Sequence, residues 1–376
     1  MTEDRAQKTV SHILRSITQQ EESRPVLPFI SPESAQDDPR LSLGEKEEDM
    51  ENLLQDVILS TVRTGTKGFF NQLFGGRRWP ATVADMLVPL LNNSMYTYKA
   101  AGLQIFIEKE VLRKMLTLVG FTQGDGSFAP GGSLSNMMAM IIARNITDAD
   151  SRNNGSNGSV CRIYTSEEGH YSITKNAGFI GIGRANVKKI ESDHLGRMIP
   201  EVLEKSIEED LLQGFLPVMI NATAGTTVLG SFDPINQIAD IAERYDIWLH
   251  VDGAFGGSVL LSDTMKSLLN GSHRADSFTW DAHKMMGVPL LASAFLVRKK
   301  GILEEHFSEK APYLFQGDDG YNPGHASIQC GRRNDALKVW SYWKALGDSG
   351  LEKMINYLRD LSLYTADLID EDPSLE

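Results

Sequence analysis

A mostly parallel β-sheet covered on both faces by helices, an α/β architecture, is expected from this sequence on three grounds. From residue 120 onward, short β-rich runs recur at 161–165, 217–221, 247–251, 278–280 and 293–297. Amphipathic helical stretches at 199–213 and 235–245 separate some of these runs, and strands alternating with helices imply right-handed crossovers between parallel strands. The composition, 41% hydrophobic and 23% charged over 376 residues, is that of a globular chain long enough for one large core or two domains.

Taken in order, residues 1–41 are polar and carry Pro25, Pro28, Pro32 and Pro39, which reads as a weakly ordered arm. Ser42 and Glu45 have capping-box spacing, and Met50, Leu53, Leu54, Val57 and Ile58 follow at helical intervals. A helix is therefore expected from about 45 to 63. A glycine-rich patch, 65–76, precedes another helix starting near Ala81, and 103–119 again has helical spacing. Residues 42–100 form a helical N-terminal segment in this reading, 101–340 the large domain and 341–376 the start of a smaller one. The Asn/Gly/Ser stretch 151–158 reads as a surface loop, and no repeats are evident.

Composition narrows the function. A net charge of −13 disfavours nucleic acid and acidic membranes as partners, while leaving room for a locally basic pocket. Two cysteines, Cys161 and Cys330, make neither a disulfide framework nor a CxxC metal site. Residues 1–30 lack the apolar core of a secretory signal, and no apolar run is long enough for a membrane helix, so a reduced, cytoplasmic setting is expected.

Four segments carry chemistry. TWDAHKMMGV places His283 and Lys284 just after a strand, and HVDGAFGG ends a strand on Asp252. APGGSLSNMMAM is a glycine-rich turn opening a helix, and EEGHYSITK sets His170 shortly after the strand at 161–165. In a parallel sheet the strand C-termini share one edge, where ligands bind. Each segment alone is commonplace: a lysine after a strand is usually a surface charge, and GGS before a helix is a common cap. Together they supply what pyridoxal phosphate (PLP) chemistry needs. Lys284 is the amine for a Schiff base, and Asp252 the carboxylate that keeps a pyridine nitrogen protonated. The turn through Ser133, Leu134 and Ser135 offers N–H donors for a phosphate, and His170 offers an aromatic cover for the ring.

SFTWDAHKMMGV resembles the lysine motif of the group II PLP-dependent amino-acid decarboxylases, usually WNPHK. NATAGTTVLGSFDPI, APGGSLSNMMAMIIAR, YLFQ and IQCGRRND are similar to segments of glutamate decarboxylase, and the resemblance runs from about residue 50 to the C-terminus. It implies the aspartate-aminotransferase (type I) fold and a homodimer with active sites at the interface. It makes Lys284 the Schiff-base lysine, Asp252 the pyridinium partner and His170 the stacking ring. Ala254 then packs on the opposite ring face, Thr223 lies near the ring substituents, and Ser133, Leu134, Ser135 and His283 surround the phosphate. Tyr313, in a loop acting on the neighbouring subunit, protonates the carbanion left by decarboxylation.

GFFNQLFGG resembles the substrate-side segment of the acidic-amino-acid branch, which brings Phe70 and Gln72 near the substrate side chain. Glutamate, aspartate and cysteine sulfinate all remain open, with aspartate to β-alanine a serious candidate. The departures are Thr66-Lys67-Gly68 for HPR, Asp281 and Ala282 for Asn-Pro, and Lys99 for an acidic residue. The family also continues for another hundred or so residues, so a fragment with a truncated small C-terminal domain is expected. The competing readings are a PLP decarboxylase for another amino acid, a different PLP reaction such as transamination, and an inactive PLP-fold protein acting as a dimerisation or binding partner.

Overall fold

The computed structural model describes residues 3–23, 30–43, 49–70, 73–74, 76–155, 158–315 and 320–375. Two compact units emerge, Met1–Gly76 and Arg77–Glu376. In the first, the stretch expected to be a weakly ordered arm holds a helix, Glu3–Ser23. Thr9 and Ile13, one turn apart, give this helix its buried stripe, a signal that the prolines at 25–39 outweighed in the sequence. A second helix, Met50–Leu59, starts later than the Ser42 pattern indicates, because Asp49 accepts from Glu51 N and caps it. Arg5 pairs with Asp49 and Glu51 at 3.1 and 2.8 Å, contacts that are solvent-exposed and individually weak.

The second unit is built on a seven-stranded sheet. Its strands are β1 (Asp125–Ala129), β2 (Cys161–Ser166), β3 (Val187–Ile190), β4 (Leu216–Thr223), β5 (Trp248–Asp252), β6 (Ser277–Asp281) and β7 (Ser293–Val297). They lie in the order β1-β7-β6-β5-β4-β2-β3. β3, β2, β4, β5 and β6 pair in parallel, and β7 runs antiparallel to both β6 and β1. Helices cover both faces, so β6 and β7 are buried throughout, as strands of a doubly covered sheet should be. Along β7 the side chains alternate between two cores: Ala294 and Leu296 join one, Phe295 and Val297 the other.

This topology creates the ligand edge. Six strands end on it and the one reversed strand begins on it, so Ala129, Asp281 and Ser293 stand side by side in register. Away from it, helix Ala336–Glu371, bent at Gly347, packs on helices Trp79–Leu91 and Gln104–Val119. Ion pairs fasten this region: Arg332 to Glu108 at 2.6 Å, both buried, and buried Lys338 to half-buried Asp85 at 3.2 Å. Among the described residues, no helix is long and apolar enough to cross a membrane.

Candidate active site

Loops from six strands converge on a cavity of about 300 Å³ at that edge. Ser133, His170, Thr223, Asp252, Ala254, His283 and Lys284, all expected from the sequence, line it.

Lys284 reaches the cavity because β6 ends in a tight turn, with Lys284 N donating to Asp281 O. Its side chain is 22% exposed, and Nζ lies 3.5 Å from Asp281 Oδ2. The preceding His283 is buried. Its Nδ1 lies 3.1 Å from both the N and O of Ala292, and burial pushes its imidazole below the ordinary value. His170 is half-buried in the cavity lining, its Nδ1 accepting from Ser172 N at 3.3 Å. Burial lowers its pKa, with Asp252 pulling the other way, so the neutral ring is favoured.

Asp252, 5% exposed at the tip of β5, is held on both oxygens: Oδ2 accepts from Asn136 Nδ2 at 2.7 Å, and Oδ1 from Ala254 N at 3.2 Å. A buried chain of donors stands behind it. Trp248 Nε1 can only donate, so the hydroxyl of Ser277 accepts that bond at 2.9 Å and directs its own proton to His250 Nδ1 at 2.8 Å. The ring proton of His250 then sits on Nε2 and donates to Asn136 Oδ1 at 3.0 Å, which turns the amide N–H of Asn136 toward Asp252. Complete burial pushes His250 down to about 4, in keeping with a ring that carries one proton. Asn136 was not singled out in the sequence. Its only signal is an amide inside the apolar helical run NMMAMII.

The glycine turn opens helix Gly132–Thr147. Gly131, with φ +93°, occupies backbone space that other residues rarely enter. A Cβ at Gly132 would stand 2.6 Å from Asp281 Oδ2. Two oxygens in the cavity lining are buried without partners, Thr223 Oγ1 and Asp281 Oδ1. The backbone of Thr223 is fixed by Asp233, whose Oδ2 accepts from its N–H at 2.7 Å.

Three other expected residues of this unit, Ser135, Leu134 and Tyr313, are not part of the cavity lining. The Ser135 hydroxyl is fully buried and bonded to Ser293 Oγ at 2.8 Å, and Leu134 does not line the space. Tyr313 is 78% exposed in a surface turn and is absent from the lining. Phe70, in the Met1–Gly76 unit, is 90% exposed, and Gln72 lies outside the described residues. The arrangement can hold an aldehyde-bearing ring through Lys284, a cationic ring nitrogen at Asp252 and an anionic group at the helix N-terminus.

The sequence and the coordinates both have known relatives. The family model described as the pyridoxal-dependent decarboxylase conserved domain matches residues 32–376. The chain is 46% identical over 332 residues to acidic amino acid decarboxylase GADL1 of Mus musculus, covering 87% of this chain and 60% of that protein. It is 44% identical over 329 residues to the cysteine sulfinic acid decarboxylase of Homo sapiens, covering 86% and 67% respectively. The chain thus spans less than two thirds of the length of the GADL1 relatives, 60% of the mouse protein and 64% of the human one. The crystal structure of mouse CSAD in apo form superposes with a TM-score of 0.95 at 39% identity, over 99% of this chain and 80% of that one.

Proposed function

This chain belongs to the pyridoxal-dependent decarboxylase family, and we propose that it removes the α-carboxylate of an acidic L-amino acid as carbon dioxide, leaving the amine. The cofactor is pyridoxal 5′-phosphate. The observation that carries the reading is one cavity lined by both Lys284 and Asp252, with buried Thr223 Oγ1 and Asp281 Oδ1 left unpartnered in its wall. Those features fit the cofactor: an amine, a held carboxylate and polar groups still owed a partner. When bound, pyridoxal phosphate supplies the electron sink for the pair left behind as carbon dioxide departs.

The chain's own residues do the rest. Lys284 Nζ holds the cofactor covalently, and Asp252 holds a proton on the ring nitrogen through its fixed carboxylate. His170, in its neutral form, and Ala254, both in the cavity lining, would hold the ring. Ser133, the Gly131–Gly132 backbone and His283 hold the phosphate. Tyr313 donates the proton that completes the product. Its exposure and its absence from the cavity of its own subunit support action in the site of a second copy, in a homodimer. Arg332 is committed to Glu108, so the substrate carboxylate needs another cation.

The acidic substrate class is supported by the FFNQL segment and by the names of the two relatives above. Turnover with aspartate, cysteine sulfinate and glutamate is expected to exceed that with dopa or tyrosine by at least about tenfold, a difference of roughly 1.4 kcal/mol. A preference for the aromatic set would overturn the substrate class. Borohydride is expected to trap the cofactor on Lys284 and to trap nothing in Lys284→Ala. Undiminished trapping at another lysine would overturn the site.

A further inference from the structure

β6 ends in a carboxylate that the reaction above leaves idle. Asp281 is 2% exposed. Its Oδ2 lies 3.5 Å from Lys284 Nζ and 3.6 Å from His283 Nε2, while Oδ1 has no hydrogen-bond partner. The same carboxylate packs on Gly132, the first residue of helix Gly132–Thr147. A helix N-terminus, an imidazole and an ammonium group all favour an anion, and here they converge on a place where a side-chain anion already stands. The usual motif has asparagine at this position, whose amide can donate a hydrogen bond to an anion. A carboxylate can donate one only after taking up a proton.

We propose that Asp281 makes cofactor binding proton-linked: it is protonated when the phosphate of pyridoxal phosphate binds beside His283 and the Gly131–Ser133 turn, and its O–H then donates to that phosphate. The proposal rests on the reading of this cavity as the pyridoxal phosphate site. Two anions in contact in a dry site cannot both keep full charge, so one takes up a proton. Burial already pushes the Asp281 carboxyl up, against the pull of His283, Lys284 and the Ser293 hydroxyl. The other charged groups facing this cluster are Asp252 at the end of β5, His170 after β2, and Lys338, whose charge reaches His283. The proton uptake is balanced by one proton from solvent, which forms an O–H bond on Asp281.

The test is the dissociation constant of pyridoxal phosphate between about pH 5.5 and 8.5, for the wild-type chain and for Asp281→Asn. Pyridoxal, which lacks the phosphate, serves as the parallel ligand. One linked proton means that the wild type loses about tenfold in affinity per pH unit relative to the variant above the titration of Asp281, and the two converge in acid. With pyridoxal the difference is expected to disappear. Parallel profiles for pyridoxal phosphate overturn the proposal. An equal difference with pyridoxal also overturns it, because the effect then runs through Lys284. If neither protein binds pyridoxal phosphate, the reading of the cavity itself falls, whereas trapping at Lys284 with parallel profiles refutes Asp281 alone. Melting curves check that the variant is folded, and Asp281→Ser removes the same charge if the asparagine variant is not.

Discussion

Two carboxylates end neighbouring strands at the same sheet edge, both buried, and the molecule treats them in opposite ways. Asp252 accepts a hydrogen bond on each oxygen, and behind it stands a relay from Asn136 through His250 and Ser277 to Trp248. Asp281 has one oxygen with no partner and another whose cationic neighbours stand beyond hydrogen-bond length. Burial alone therefore does not decide what a carboxylate does. The groups around it matter as well: Asp252 is held on both oxygens, whereas Asp281 keeps one oxygen without a partner, and burial pushes its carboxyl up.

The most forceful way to break this contrast is to remove each charge in turn. Asp252→Asn is expected to keep the fold but cut turnover about a hundredfold or more, the scale seen when a preorganised charge in an active site is lost. Asp281→Asn is expected to stay within about tenfold at saturating cofactor. Equal losses in steady-state kinetics would erase the distinction.

A smaller effect probes the relay. Asn136→Ala takes from Asp252 Oδ2 its donor and leaves His250 Nε2 only the longer contact to Thr279 Oγ1 at 3.4 Å, at a cost of about 1–3 kcal/mol in unfolding free energy. Urea denaturation measures it, and an unchanged midpoint would mean that the relay does not hold Asp252. Smallest of the three is the pH dependence of stability. The folded chain raises the Asp281 carboxyl above its ordinary value, so the native state keeps a proton that the unfolded chain has already shed. Stability from this group is therefore lost as pH rises from the unfolded carboxylate value, near 4, through the folded one. The melting temperature of Asp281→Asn relative to wild type is expected to rise from pH 4 toward pH 7. A constant gap would place Asp281 among ordinary carboxylates.

Much of this site was legible because its pieces are local. Lys284, Asp252, His170 and the glycine turn each follow a strand directly, and a parallel sheet brings strand ends together whatever the details of packing. Five of the strands stood out as β-branched or apolar runs. β1, with the sequence DGSFA, and β3, with VKKI, did not, because both are edge strands and need no continuous apolar face. Asn136 escaped notice for a different reason. Its partners are His250 and Asp252, more than a hundred residues away, and an amide in an apolar helix announces a buried bond without naming the other end. Asp281 was visible as a departure from a motif, but its meaning depends on the geometry of Gly132 and His283 around it.

The single reversed strand also has a bearing on how the chain assembles. Among the described residues β1 pairs with β7 alone, and β7 follows the other strands of this sheet in the chain. A nascent chain can dock β2 through β6 as they emerge, and helix Gly132–Thr147 packs on β4, β5 and β6, but strand β1 has no partner until β7 pairs with it. The end of β1 that leads into the glycine turn is thus fastened into the sheet only by the closing pairing event. A chain stalled before Ser293 would have Lys284, Asp252 and the helix in hand, yet β1 and the turn after it would lack the strand that fastens them into the sheet.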